Sequence, residues 1–391
     1  MTLMRVPLAW RNLVHDKRRF AVSTAGIALA VLLMFVELGF WNALLDSATQ
    51  LLRDLNADLV IISRARYAMI VSEPFSVRRL DQARAVPGVR MAFPVFIEEQ
   101  RALWKNSESY NPDEPYRRNI RVVAFNPQFD ALKNPEIKAQ RRKLMLPGAV
   151  LIDRQSSEDF GKRHRGLIRE LADQSVEIVG CFTQGPDFSA DGNVVASDRT
   201  FAKLFGQSRY PGAVLDMADI GLIQLEEGAD RAAILKSLRA MLPMDVQVLT
   251  RDDFVAVETR FWQQSTPIGF IFLCGLIMGI IVGMVICSQI LSADVTDHLK
   301  EYATLKAIGY SNAAVMSVVL QQALLLCLTG FVPALGGAAL SYAFLGATTR
   351  LPMDLTVGRI AFVFLLSAAM CIVAGLLAVQ KVIKADPAEV F

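Results

Sequence analysis

The chain has 391 residues, 53% of them hydrophobic, and a mean hydropathy of +0.35, which is too apolar for an ordinary soluble protein of this size. The formal net charge is only +3, and no Lys/Arg tract is long enough or laced with aromatic residues in the way a nucleic-acid surface requires, so nucleic acid is not expected as a partner. Cys274, Cys287, Cys327 and Cys371 lie in apolar stretches, where a thiol serves as a small hydrophobe; with Cys181 alone in the polar region, a disulfide framework there is excluded.

Residues 1–19 carry Arg5, Arg11, Lys17, Arg18 and Arg19 against the single acid Asp16. The apolar run Phe20–Leu45 that follows is long enough to span a bilayer and longer than the core of a signal peptide. Its basic flank predicts a cytoplasmic N-terminus. Glu37 interrupts this first span. A carboxylate at mid-bilayer costs about 2.5–3.5 kcal/mol on insertion scales, so Glu37 should face other helices, water or the interface; it is an intramembrane site candidate.

From residue 46 to residue 266 the composition changes. Charges of both signs are frequent and nearly balanced, most of the prolines fall here, and no membrane-length apolar run occurs. Ala57–Ser63, Asn119–Ala124, Ser175–Val179, Gly221–Leu225 and Asp245–Leu249 read as strands and Asp230–Leu242 as a helix. The mixture predicts an α+β domain, large enough for two subdomains. Its length lets it cross the membrane despite its basic residues, because the positive-inside rule governs short loops.

Three more apolar segments follow, residues 267–292, 312–345 and 358–379. The middle one is too long for a simple crossing, and Pro333 with Gly336-Gly337 should kink it or divide it into two helical pieces. Gly275, Gly279 and Gly283, four apart in the second span, suit close helix packing. Four spans put both termini in the cytoplasm, including a tail from residue 380 to 391, and the domain 46–266 outside. Residues 294–310, polar and enclosed by the second and third spans, then lie inside. Within them Leu299, Tyr302, Leu305 and Ile308 recur three apart, which stripes one face of a helix, with Asp297 placed to cap its start and Gly309 to end it. Such a helix either lies in the headgroup layer or docks its stripe on a soluble partner; periodicity leaves both open.

No chemistry of an enzyme is visible. There is no G-x-x-x-x-G-K-[ST] loop, no G-x-S-x-G elbow, and His15, His164 and His298 stand apart from any metal-ligand spacing. The adjacent acids Glu98-Glu99 and Asp252-Asp253 point to different faces and are expected on a solvated surface.

One span, a large outer domain and three spans resemble the FtsX-like permeases, the membrane subunits of MacB-type ABC transporters. The residues that carry the resemblance are Ala9-Trp-Arg-Asn-Leu13 with Arg18, Glu301-Tyr-Ala-Thr-Leu-Lys-Ala-Ile-Gly309, which is similar to the family's E-x-[AG]-x-L-[KR]-A-[ILM]-G signature, and Asp386-Pro-Ala-Glu-Val390. Val150-Leu-Ile-Asp153, Phe160-Gly161, Asp219–Leu225 and Phe261-Trp262 leading into Thr266–Phe272 are similar to the DevC branch, known for heterocyst glycolipid export. The resemblance implies a MacB-like α-helical membrane protein with four transmembrane helices and a two-subdomain α+β periplasmic domain, set in the cytoplasmic (inner) membrane. It implies a coupling helix whose Leu299, Tyr302, Leu305 and Ile308 dock on a separate ABC ATPase subunit, with Glu301 and Lys306 at the rim; ATP and Mg would be bound by that ATPase and no cofactor by this chain. A homodimer, a periplasmic membrane fusion protein and, through that adaptor, an outer-membrane TolC-like channel are the further partners implied. The implied activity is mechanotransmission that drives export of a lipid-like or hydrophobic substrate. The alternative is a transducer that moves nothing and switches a periplasmic enzyme.

Overall fold

The computed structural model describes residues 17–106, 116–211, 213–298, 304, 308 and 311–384. Two compact units emerge: residues 1–43, 267–349 and 353–391 form one, and residues 44–266 with 350–352 the other.

The first unit is helical. Four helices are long and apolar enough to cross a membrane: α1 (Lys17–Asp54), α7 (Pro267–Asp297), α8 (Asn312–Thr349) and α9 (Val357–Lys384). Their shared core is built from Ile27, Val31, Met34 and Phe35 of α1, Cys287 and Leu291 of α7, Ala323, Leu326, Cys327, Phe331, Ala334 and Ala338 of α8, and Val363, Met370, Cys371 and Ala374 of α9. Small residues allow these approaches. A Cβ at Gly283 would meet Met370 Sδ at 2.4 Å and Ala30 Cβ at 2.9 Å, and one at Gly330 would meet Ile27 at 2.7 Å, so both glycines serve helix packing. The long third apolar segment is neither divided nor ended at Pro333, which sits inside a continuous α8. A helical proline loses one backbone hydrogen bond, and an isolated loss does not outweigh the packing of a span this apolar on α9.

The helix α1 does not stop at residue 45. At 1.5 Å per residue its 38 residues run about 57 Å, well beyond a hydrocarbon core of about 30 Å. Residues 44–54 belong to the second unit, and Leu51 and Leu52 are buried in that unit's core.

The second unit is α+β, with thirteen strands among its described residues: β1 (Leu59–Ser63), β2 (Phe75–Ser76), β3 (Val89–Glu98), β4 (Leu103–Asn106), β5 (Tyr116–Asn119), β6 (Arg121–Phe125), β7 (Ala149–Asp153), β8 (Ile168–Leu171), β9 (Gln174–Phe182), β10 (Asn193–Ser197), β11 (Met217–Ala218), β12 (Ile220–Leu225) and β13 (Val246–Thr250). Its helices are α2 (Arg78–Arg84), α3 (Pro135–Gln140), α4 (Asp198–Phe205), α5 (Arg231–Met241) and α6 (Arg251–Gln264). Eleven strands form one sheet, in the order β13-β1-β12-β3-β6-β10-β7-β9-β8-β4-β5. At one end β1, α2, β3, β12, α5 and β13 make two interlocked strand–helix–strand units with neighbours all antiparallel, a ferredoxin-like lobe. The second lobe is inserted between β3 and β12 and joins the first where β3 pairs with β6.

Residues alternate between the two faces of this sheet. Val60 and Ile62 enter the core that also holds Leu51, Leu52, Ile137 and Phe254; Leu59 and Ile61 enter the core under α2 and α5. Val122 and Ala124 of β6 join a third core under Phe201, Leu204 and Phe205 of α4. With both faces covered, the central strands carry unbroken apolar runs, Val122–Phe125 of β6, Ala149–Ile152 of β7 and Val194–Ala196 of β10.

The expectation that Glu98-Glu99 is solvated fails. Glu98 is 3% exposed, and its carboxylate lies 3.7 Å from Arg209 Nε and 3.2 Å from Arg101. Arg209 in turn pairs at 2.5 Å with the fully buried Asp219, which also accepts from Arg66 at 3.4 Å and from the Ile97 N–H at 2.8 Å. Glu99 meets Arg121 at 3.3 Å. Glu98 and Asp219 are buried and Glu99 half-buried because arginines from distant parts of the chain, Arg66, Arg121 and Arg209, neutralise them, a condition that adjacency in sequence does not reveal. Asp253, by contrast, stays on the surface as half of a capping box with Thr250 at the start of α6.

Candidate functional site

The candidate coupling segment begins where α7 ends. Residues 294–297 continue α7 and do not start a new helix, so Asp297 is the last residue of the second span and not an N-cap. The physical reason is local: Ser292-Ala-Asp-Val-Thr-Asp297 contains no breaker, and Thr296 Oγ1 bonds back to the Ser292 carbonyl at 2.7 Å, as hydroxyls inside helices do. Of the docking candidates, Leu299, Glu301, Tyr302, Leu305, Lys306 and Gly309 lie outside the described residues. Ile308 is described. It is 71% exposed, and its N–H donates to the Thr304 carbonyl at 3.0 Å, one turn back.

The root of this segment is tied to two other helices. Arg19 of α1 forms an ion pair with Asp297. Three residues earlier Asp294, with 14% of its side chain exposed, accepts a hydrogen bond from Nε2 of the fully buried Gln322 of α8 at 2.9 Å. The His298 ring sits over the same carboxylate, 3.7 Å from Oδ1, and bonds the Asp294 carbonyl at 2.9 Å. The exposed Arg19–Asp297 pair contributes little to stability. The Asp294–Gln322 bond is the stronger constraint, because a buried carboxylate stripped of its donor would be left unsatisfied. Sequence reasoning missed Gln322. The signal was present in Gln321-Gln322, two amides inside an apolar run, since polar groups in a span usually bond across helices.

Glu37 lies half-buried in the same unit, its carboxylate against Gly275 of α7. A Cβ at Gly275 would come within 2.4 Å of Glu37 Cδ, so the absent side chain is what gives the carboxylate room. Glu37 is therefore remote in sequence and in helix position from Asp294. The structure does not bring Glu37 to the root of the coupling segment. Cys181 belongs to the second unit. Its thiol donates to the Arg163 carbonyl at 3.0 Å, and burial pushes its pKa up, which keeps it a neutral thiol. Among the described residues, no group of three or more His, Cys, Asp or Glu is arranged to hold a metal ion.

What the described residues show is a mechanical tie: the end of α7 is joined to α8 through Gln322 and to α1 through Arg19.

Three comparisons bear on this reading. The chain is 24% identical over 251 residues to the macrolide export ATP-binding/permease protein MacB of Vibrio parahaemolyticus, a match that takes in 62% of this chain and 37% of that protein. The chain thus spans little more than a third of that relative's length. Among solved structures, the periplasmic region of MacB from Actinobacillus actinomycetemcomitans aligns with a TM-score of 0.35 and 10% identity, over 55% of this chain and 96% of that one. The extracellular domain of the noncanonic ABC-type transporter YknZ from Gram-positive bacteria aligns with a TM-score of 0.33 and 12% identity, over 50% and 99%. Residues 268–387, which hold α7, the candidate coupling segment, α8 and α9, match the FtsX-like permease C-terminal family.

Proposed function

We propose that the chain is the permease subunit of an ABC exporter of the FtsX/MacB type, set in the cytoplasmic membrane with both termini inside and the α+β unit in the periplasm. The observation that carries this reading is the family match over residues 268–387, because it takes in the candidate coupling segment together with the helices on either side. ATP and Mg are bound by a partner ABC ATPase, on which Leu299, Tyr302, Leu305 and Ile308 dock, with Glu301 and Lys306 at the rim and Gly309 ending the helix. Two copies of the permease work with two of the ATPase. Closing of the ATPase pushes the coupling segments, and α1 and α7 carry the movement to the outer unit. That unit acts on a periplasmic membrane fusion protein joined to a TolC-like channel, and the cargo is lipid-like or hydrophobic, as in the DevC branch. The requirement on energy is modest: the ATPase need only prefer one of two permease states by a few kcal/mol.

The test is capture of the tagged chain in mild detergent, with partners identified by mass spectrometry. An ABC ATPase together with a membrane fusion protein is the expected result. An ATPase recovered with a periplasmic hydrolase would replace export by the switching role, and no ATPase at all would overturn the docking assignment.

A further inference from the structure

An open cavity of about 300 Å³ lies in the α+β unit where α1 gives way to β1, and charged side chains dominate its lining. Four cationic side chains from four different elements line it: Arg90 of β3, Lys133 before α3, and Arg231 and Arg251, the first residues of α5 and α6. Only Asp58 and Asp252 oppose them. Both acids are loosely matched, at 3.7 Å from Arg231 and from Arg251. Asp58 is partly committed elsewhere, since its Oδ2 accepts the Leu225 N–H at 2.9 Å. Arg90 is fixed by a neutral group, donating through Nη2 to Gln224 Oε1 at 2.7 Å, and among the described residues neither Arg90 nor Lys133 is paired with a carboxylate. Two positive charges are left over in the cavity.

The wall is also built to stay in place. The ladder of β12 on β3 shifts register between Gln224 and Leu225, and such a bulge re-aims a side chain. Here Gln224 faces Met91 and Leu225 faces Val89, so the extra residue is Arg90; Gln224, only 5% exposed, donates through Nε2 to the Asn56 carbonyl at 2.8 Å while its Oε1 holds Arg90. The end of α1, β1, β3 and β12 are thereby tied around one opening. Of the lining residues only Ala57 is apolar, which disfavours an acyl chain and suits a small hydrophilic anion.

We propose that this cavity is a binding site for a phosphomonoester group, whose charge of about −1.5 to −2 at neutral pH matches the surplus. Arg90 and Lys133 supply the charge that no carboxylate balances, and Arg231 and Arg251 add donors from the positive ends of two helices. The group comes either from a free metabolite-sized phosphate or from a lipid with a phosphomonoester head.

The test uses the full chain in detergent at fixed ionic strength, titrated by calorimetry with inorganic phosphate, glycerol phosphate, short-chain phosphatidic acid and, as the neutral control, glycerol. Saturable binding of a phosphate probe and none of glycerol is expected, with affinity falling at least about tenfold in the Arg90→Gln/Lys133→Gln double variant. Lys133→Glu alone is the second variant, because none of the hydrogen bonds that shape the wall uses the Lys133 ammonium, and it should weaken binding by a similar factor. Binding of glycerol phosphate assigns a free ligand; binding of phosphatidic acid alone assigns a lipid head. No saturable binding of any phosphate probe, or binding that both variants leave unchanged, would overturn the site. Either result is independent of whether an ATPase is captured.

Discussion

Buried charges carry the largest single-residue effects here. Asp219 is fully buried with Arg66 and Arg209 on it, their side chains 1% and 3% exposed. Asp219→Ala would strand two guanidinium groups, and breaking such a cluster costs about 3–5 kcal/mol. The urea midpoint followed by the tryptophan fluorescence of the full chain should fall accordingly; an unchanged midpoint would show that water replaces the carboxylate. A second buried pair sets a pH dependence. Burial pushes Asp187 up, but Arg121, at 2.5 Å, and the N–H groups of Ser189 and Ala190 outweigh it and hold the carboxyl below the usual carboxylate range. A folded pKa below the unfolded value of about 3.9 gives stability that is present above that pH and lost as pH falls through the folded value. Asp187→Asn should therefore unfold more easily than the parent at neutral pH, with the gap closing in acid. Acid limbs that run parallel in the two proteins would refute the linkage.

At the scale of elements, the reach of α1 matters most. It is one helix from Lys17 to Asp54, with residues 17–43 in the helical unit and 44–54 in the α+β unit. A proline in its middle removes a backbone bond and clashes with the preceding turn, at a cost of about 3 kcal/mol or more. On the proposed function, Asp46→Pro should abolish export while ATP hydrolysis continues, whereas Asp46→Ala, which gives up the pair with Arg53 at 3.5 Å but keeps the helix, should keep both. Export assayed with both variants at matched membrane levels decides this. The extent of α1 was hard to read in the sequence because hydropathy ends near Leu45, while the following turns stay helical by burying Leu51 and Leu52 in a folded core. Period and turn residues did mark β1, β9, β12, β13 and α5, with Asp230 capping α5 through the N–H groups of Ala232 and Ala233. Strands β7 and β10, Ala149–Asp153 and Asn193–Ser197, were not read as strands: each is a five-residue run without polar alternation, a pattern a short buried helix segment shares. The sequence offered the apolar stripe, of which Ile308 alone falls among the described residues; the tie at its root was not legible, since the Asp294–Gln322 bond joins residues on different helices.

For the whole molecule, the question is whether the coupling segment moves a partner's free energy into the α+β unit. Its proposed stripe is Leu299, Tyr302, Leu305 and Ile308, and the one described member, Ile308, is exposed. An apolar stripe in the headgroup layer and one docked on an ATPase respond differently to a single charge. In the headgroup layer, a carboxylate near the interface costs little, so Leu305→Asp would be tolerated. In a docked groove the same carboxylate must be desolvated, at a cost of several kcal/mol, and binding weakens about tenfold for each 1.4 kcal/mol. Leu305→Asp should therefore insert normally, fail to retain the ATPase in a pull-down, and leave any residual ATP hydrolysis uncoupled from export. Asp294→Asn separates docking from transmission. It keeps an acceptor for Gln322 while removing the charge over which His298 sits, so ATPase capture should persist even if export falls. Loss of capture with Leu305→Asp and its retention with Asp294→Asn would put the partner's contact on the stripe and the relay at its root. Retention with both would return the segment to the membrane surface and leave the transmission proposal without its first step.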